Sequence, residues 1–233
     1  MNVRTTIVFS SLALIYLATL PLTPYVAQFL PKALPIVVLA VFAYTKLSTM
    51  PRYMVLAALL FSLAGDVSLA LPFADSFITG LACFFVAHLT YAMCFALLHR
   101  RLQETPGDHI ISRKPKWLIS IIMVSFAVMM AVHILPASKA LFYPVVAYIS
   151  VITLMGLTAV WLAQTKLIVT GALLFVISDA ILAQSVFKTP LPLSTFWVMT
   201  TYYGAQYCLT MGLVDVFFEK RERIGRKRLV RPS

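Results

Sequence analysis

The chain has 233 residues, of which 61% are hydrophobic and only 12% charged. Water-soluble domains run at about 45–50% apolar and about 25% charged, so a soluble fold is excluded and a lipid bilayer is the solvent that fits. The formal net charge is +11. Its basic residues flank apolar stretches, where they set orientation and meet anionic lipid, and no nucleic-acid partner is expected.

The first apolar run follows Arg4 and extends from Thr5 to Leu20. A cleaved signal would need a small-x-small site after it; Pro21, Pro24 and Tyr25 follow instead, so 5–21 is read as the first span. Further spans are predicted at 34–50, 53–72, 77–98, 117–135, 141–163, 167–187 and 195–218. Each is long enough to cross a hydrocarbon core of about 30 Å at about 1.5 Å per residue. The second is bracketed by Pro31, Pro35 and Pro51. The fold class is therefore an all-α membrane protein, a bundle of about eight transmembrane helices. It forms a single transmembrane domain over 1–218, followed by a basic cytoplasmic tail over 219–233.

Charge sets the orientation. With the N-terminus inside, that side carries Arg4, Lys46, Arg52, Arg100, Arg101, Arg113, Lys114, Lys116, Lys166 and the basic residues of the tail. The outer side carries Lys32, Lys139 and Lys188. The asymmetry predicts both termini in the cytoplasm, and the expected location is a bacterial inner (cytoplasmic) membrane. Cys83, Cys94 and Cys208 fall in apolar segments without a CxxC pair and read as small buried residues.

Residues 58–70 read ALLFSLAGDVSLA and residues 172–183 read ALLFVISDAILA. The two share ALLF, a small residue before Asp, and DxxLA, with one residue of slippage. They fall in the third and seventh spans, which run the same way through the membrane, and suggest a parallel four-helix repeat.

Six of the eight acidic residues lie in loops or at the cytoplasmic end of the last span. Asp66 and Asp179 lie well inside apolar helices, at similar predicted depth. An intramembrane carboxylate is expensive and normally faces a bundle interior where it serves function. A structural Asp bonded to a neighbouring helix is the plain alternative for either one alone; the matched pair favours a site. Other polar groups reach the same layer. His88 and Tyr91 are three apart on the fourth span, and Tyr148 is in the sixth. In the eighth, Thr200, Tyr203, Gln206 and Tyr207 form a polar stripe with Tyr202 beside it. Aromatic belts sit at interfaces, so mid-depth tyrosines read as helix-packing groups or, taken together, as pocket lining.

Two carboxyls in one low-dielectric site do not readily both ionise, which sets a general acid beside a general base. The chain has no GxSxG, HExxH or P-loop signature. Serine and zinc hydrolysis are disfavoured, and paired-aspartate acid–base chemistry remains. No metal site of adequate ligand count is read from the sequence, although two Asp with His88 would be the set to hold one. No cofactor is expected.

The blocks ALLFSLAGDVSLA, GLACFFVAHLTY (80–91), GALLFVISDAILA and YYGAQY (202–207) resemble the YhhN family of membrane lysoplasmalogenases. The resemblance spans roughly residues 30–215. It implies hydrolysis of the vinyl ether bond of lysoplasmalogens, giving a fatty aldehyde and glycerophosphoethanolamine or glycerophosphocholine. The expected partners are a lysophospholipid substrate and membrane lipid; the oligomeric state is not legible. The family's aspartate motifs fall on Asp66 and Asp179, its histidine on His88, and its last-span polar pair on Tyr203 and Gln206. Its lysine falls on Lys32, here in Pro-Lys-Ala-Leu-Pro rather than Lys-Pro. On this reading Asp66 and Asp179 are catalytic. His88, Tyr91, Tyr148, Tyr203 and Gln206 bind substrate and water, and Lys32 meets the phosphate. The competing class is a proton-coupled lipid or small-molecule transporter using the same aspartates.

Overall fold

The computed structural model describes residues 3–103, 113–163 and 165–229, with side chains over 3–100, 115–163 and 165–217. The basic residues Arg101, Arg113, Lys114 and the side chains of the tail lie outside that set. Among the described residues every regular element is helical. In lipid no water satisfies a peptide group, so the backbone must close its own hydrogen bonds, and helices do so within one segment.

Eight α-helices follow in order: α1 Val3–Thr19, α2 Phe29–Lys46, α3 Thr49–Ala70, α4 Ser76–Gln103, α5 Arg113–Ser138, α6 Phe142–Thr158, α7 Lys166–Phe187 and α8 Ser194–Leu229. Six stretches of the described chain are long and apolar enough to cross a membrane. One of them, Pro115–Ala163, holds both α5 and α6. These turn on each other through Lys139–Leu141, where Lys139 takes a left-handed φ of 46°. The chain is a multi-pass membrane protein. Its outward face is apolar in the way bilayer contact requires: Ile121, Ile122, Val128, Met129 and Val132 of α5 are all exposed, a surface that would aggregate in water.

Two boundaries differ from the sequence reading. The second helix begins at Phe29, about one turn earlier than predicted. Pro31 therefore sits in its first turn, where the missing N–H has no intrahelical acceptor to lose, and Lys32 becomes a helical residue. The last helix continues to Leu229, past the predicted end of the span. Hydroxyls inside the spans are satisfied locally: Ser62, Thr90, Thr153 and Ser185 each donate to the carbonyl four residues back.

The closest helix pairs are α3 with α4 and α7 with α8. Small residues allow the approach. A Cβ on Gly65 would lie 2.7 Å from the Phe84 ring. One on Gly171 would lie 2.9 Å from the Leu209 backbone nitrogen and 3.0 Å from the Ala205 carbonyl oxygen. The second clash is against backbone that cannot rotate away. At Gly204 the nearest atom is the mobile Cδ1 of Leu174, at 3.2 Å. Gly171→Ala is therefore predicted to cost about 1–3 kcal/mol through overpacking, read as a lowered unfolding temperature in detergent. Gly204→Ala should lie within about 0.5 kcal/mol of the parent.

Candidate active site

Asp66 and Asp179 sit in the last two turns' approach to the ends of α3 and α7, and each is held by groups from two other helices. Asp66 Oδ1 is 3.2 Å from Lys32 Nζ of α2. The same ammonium donates to the Asp66 backbone carbonyl at 3.2 Å. Asp66 Oδ2 accepts from Tyr202 Oη of α8 at 2.6 Å. Lys32 is fixed in turn from behind, because Tyr203 Oη donates to its backbone carbonyl at 2.8 Å. A buried carboxylate is tolerable only when paired and hydrogen-bonded, and here both oxygens are engaged.

Asp179 has a different shell. Its Oδ2 accepts from Tyr148 Oη of α6 at 2.6 Å and lies 3.1 Å from His88 Nε2 of α4. His88 Nε2 is also 3.1 Å from Tyr148 Oη. The other ring nitrogen, Nδ1, is buried without a partner. That places the imidazole proton on Nε2, since an orphaned N–H would cost more than an orphaned lone pair. The two carboxyls thus have an exchanged geometry. Each takes one partner from the helix preceding its own, α2 or α6. Each takes the other from the last helix of the opposite half of the chain, α8 or α4.

Phe175, one turn before Asp179, stands between the two shells. Its ring meets His88 at 4.5 Å and Tyr202 at 5.5 Å between centroids, and Phe84 packs edge-on against both Phe175 and Tyr202. Above these rings a cavity of about 340 Å³ is lined by both aspartates together with Tyr16, Lys32, Ser178 and Tyr202. Its mouth carries Ser76, Ser185, Ser194 and Thr195, at the end of the bundle where α3 joins α4 and α7 joins α8. A second, apolar crevice of about 80 Å³ is lined by Phe126, Met130 and Ile134 of α5, Val145 and Ile152 of α6, and Phe187 of α7. Asp179, Leu69, Phe77, Phe84 and Leu182 line both spaces.

Of the residues singled out in the sequence, Asp66, Asp179, Lys32, His88 and Tyr148 are brought together here. Tyr203 reaches the site only through the Lys32 carbonyl, and its ring packs on Phe9 and Tyr16. Tyr91 donates to Gln206 Oε1 at 2.7 Å in a fully buried pair that lines neither space. Lys32, expected at the substrate phosphate, is engaged by Asp66. Among the described residues no group of three His, Cys, Asp or Glu side chains converges. Two contributors escaped the sequence reading. Tyr202 was set beside the polar stripe rather than in it, although it stands one helical turn before Gln206. Tyr16 of α1 had no polar neighbour in sequence to mark it.

An intramembrane acid–base site of this kind, on an all-helical multi-pass scaffold, is what the fold and the side chains define. The chain belongs to the YhhN family, whose model matches residues 27–213. Among curated proteins it is similar to the human lysoplasmalogenase TMEM86B, 34% identical over 185 residues, which cover 78% of this chain and 74% of that protein. It is also similar to the human lysoplasmalogenase TMEM86A, 28% identical over 189 residues, covering 77% of this chain and 71% of that protein. No solved structure matches the chain.

The Lys32–Asp66 pair is testable alone. Removing one partner of a buried pair strands the other charge, at about 3–5 kcal/mol. Lys32→Met is expected to lower the unfolding temperature markedly, and Lys32→Met with Asp66→Asn to recover most of that loss. If the double variant is no more stable than the single one, the pair is not the source of the cost.

Proposed function

We propose that the protein hydrolyses the vinyl ether bond of lysoplasmalogens, releasing a fatty aldehyde and a glycerophospho-alcohol, with Asp66 and Asp179 sharing the proton transfers. The observation that carries this reading is the single cavity lined by two carboxyls of unequal environment and joined to an apolar crevice. Membership of the YhhN family and the names of the human relatives support the same substrate class.

A vinyl ether is electron-rich at its β-carbon. Protonation there forms a C–H bond from the alkene pair and leaves an oxocarbenium ion at the α-carbon. Water adds to that carbon and loses a proton, giving a hemiacetal. Collapse breaks the bond to the glycerol oxygen, which leaves with the electron pair and takes a proton, while the hemiacetal hydroxyl loses its own. The net change is addition of one water. The reaction needs a protonated acid, a carboxylate that accepts a proton and faces developing positive charge, and limited access of bulk water. Glycosidases meet the same demand with two carboxyls. The polar cavity suits the glycerol and phosphate portion, and the crevice suits the start of the alkenyl chain. In this reading the chain crosses the membrane eight times, α8 included, with both termini in the cytoplasm and the polar mouth on the opposite side.

The test is release of fatty aldehyde by the detergent-purified protein from a lysoplasmalogen, with the matched sn-1 acyl lysolipid as control. Aldehyde is expected from the vinyl ether alone. Asp66→Asn and Asp179→Asn should each lower kcat/KM by about 10²–10⁴-fold, the usual contribution of a proton-transferring side chain, with the protein still folded. A folded wild type that releases no aldehyde would remove the proposal and return the aspartates to a transport role.

A further inference from the structure

The two aspartates are not equivalent, and their differences assign the roles. This inference rests on the vinyl ether reading above. Asp66 has a cation at 3.2 Å on Oδ1 and a phenol on Oδ2, and its side chain is 4% exposed. An ammonium at that distance in a low-dielectric site holds a carboxylate in its charged form. Asp179 has no cation of its own. Its two hydrogen bonds both fall on Oδ2, from Tyr148 and from the Nε2–H of His88, and its side chain is 12% exposed. Oδ2 is thereby occupied as an acceptor. Among the described residues no hydrogen bond reaches Oδ1, so a proton on Asp179 belongs there and is available to a ligand. The same residue lines both the polar cavity and the apolar crevice, whereas Asp66 lines only the polar one.

We propose that Asp179 donates the proton to the β-carbon of the alkenyl chain and that Asp66, held as a carboxylate by Lys32, takes the proton from the attacking water. The scissile group of an amphiphile lies where its polar and apolar parts meet. In this site that place is beside Asp179. The alkenyl carbons next to the ether oxygen enter the crevice between α5, α6 and α7, and the glycerol enters the polar cavity beside Asp66. Protonation uses the Asp179 proton and the alkene pair. Water then adds to the oxocarbenium carbon as Asp66 accepts its proton. In the collapse of the hemiacetal, Asp179 recovers a proton from the hydroxyl and Asp66 returns its own to the departing glycerol oxygen. Both residues end as they began. His88 and Tyr148 are positioning residues: they hold Oδ2 and so aim Oδ1.

Among the described residues, the groups facing Asp179 are His88 of α4, Tyr148 of α6 and, across the cavity, Asp66 of α3. Those facing Asp66 are Tyr16 of α1, Lys32 of α2, Asp179 of α7 and Tyr202 of α8. An acid must be protonated to act, so its titration gives the alkaline limb of the kcat/KM profile, and the base gives the acid limb. The experiment compares pH profiles of aldehyde release for wild type, Asp179→Glu and Asp66→Glu. It adds binding of a saturated alkyl-ether lysolipid, which cannot be hydrolysed, to Asp179→Asn. The proposal expects the alkaline limb to move in Asp179→Glu and stay in place in Asp66→Glu. It also expects Asp179→Asn to bind the saturated ether within about threefold of wild type while kcat falls about 10²–10⁴-fold. An alkaline limb that moves with Asp66→Glu, or stays fixed in both, would overturn the assignment while leaving the vinyl ether reaction standing. Loss of saturated-ether binding in Asp179→Asn would reduce Asp179 to a structural residue. Absence of aldehyde from wild type would sink both the reaction and the assignment.

Discussion

The cost of holding two carboxyl groups inside a bilayer is the constraint on which the rest of this structure depends. Neither can be left bare in hydrocarbon, and water reaches them only through a polar mouth at one end of the bundle. Each is therefore surrounded by donors drawn from distant parts of the chain. Lys32 and Tyr202 reach Asp66 from α2 and α8; Tyr148 and His88 reach Asp179 from α6 and α4. These contacts tie the two halves of the chain together at the depth where an apolar bundle has least else to specify its register. Packing of small residues brings α3 to α4 and α7 to α8, and the polar contacts join those pairs into one body.

The same constraint explains why the site is asymmetric although the aspartate segments are alike. In the first half the helix before the aspartate offers a cation; in the second it offers a phenol. The last helix of the opposite half offers a phenol to Asp66 and an imidazole to Asp179. Similar segments on α3 and α7 thus end in two different electrostatic environments, separated by the Phe84 and Phe175 rings yet open to one cavity. Acid–base chemistry on one substrate needs that difference, because two identical carboxyls would compete for the same state.

Tyr91 with Gln206 shows how similar residue types serve structure instead. The pair lies one turn further along α4 and α8 from His88 and Tyr202, fully buried and away from both spaces. Its bond satisfies two polar groups between helices and ties α4 to α8 below the site. Position along the helix, rather than chemistry, separates a cavity group from a packing group.

The helices, their approximate ends and the two aspartates were legible in the sequence, because a bilayer punishes unpaired polar groups so heavily that each one stands out. His88, Tyr148 and Lys32 were visible for the same reason. The sequence could not supply helix rotation, which decides which side of a helix faces which neighbour. Rotation put Tyr202 rather than Tyr203 on the Asp66 carboxyl, brought Tyr16 to the cavity and turned Tyr91 and Gln206 toward each other. It also turned Lys32 onto Asp66, once the second helix began early enough to include it. Composition and hydropathy thus determined by themselves that this chain lives in a membrane and where its costly charges lie. Only the tertiary structure decided which charges meet, because those pairings depend on contacts between helices far apart in sequence, to which no local pattern is bound.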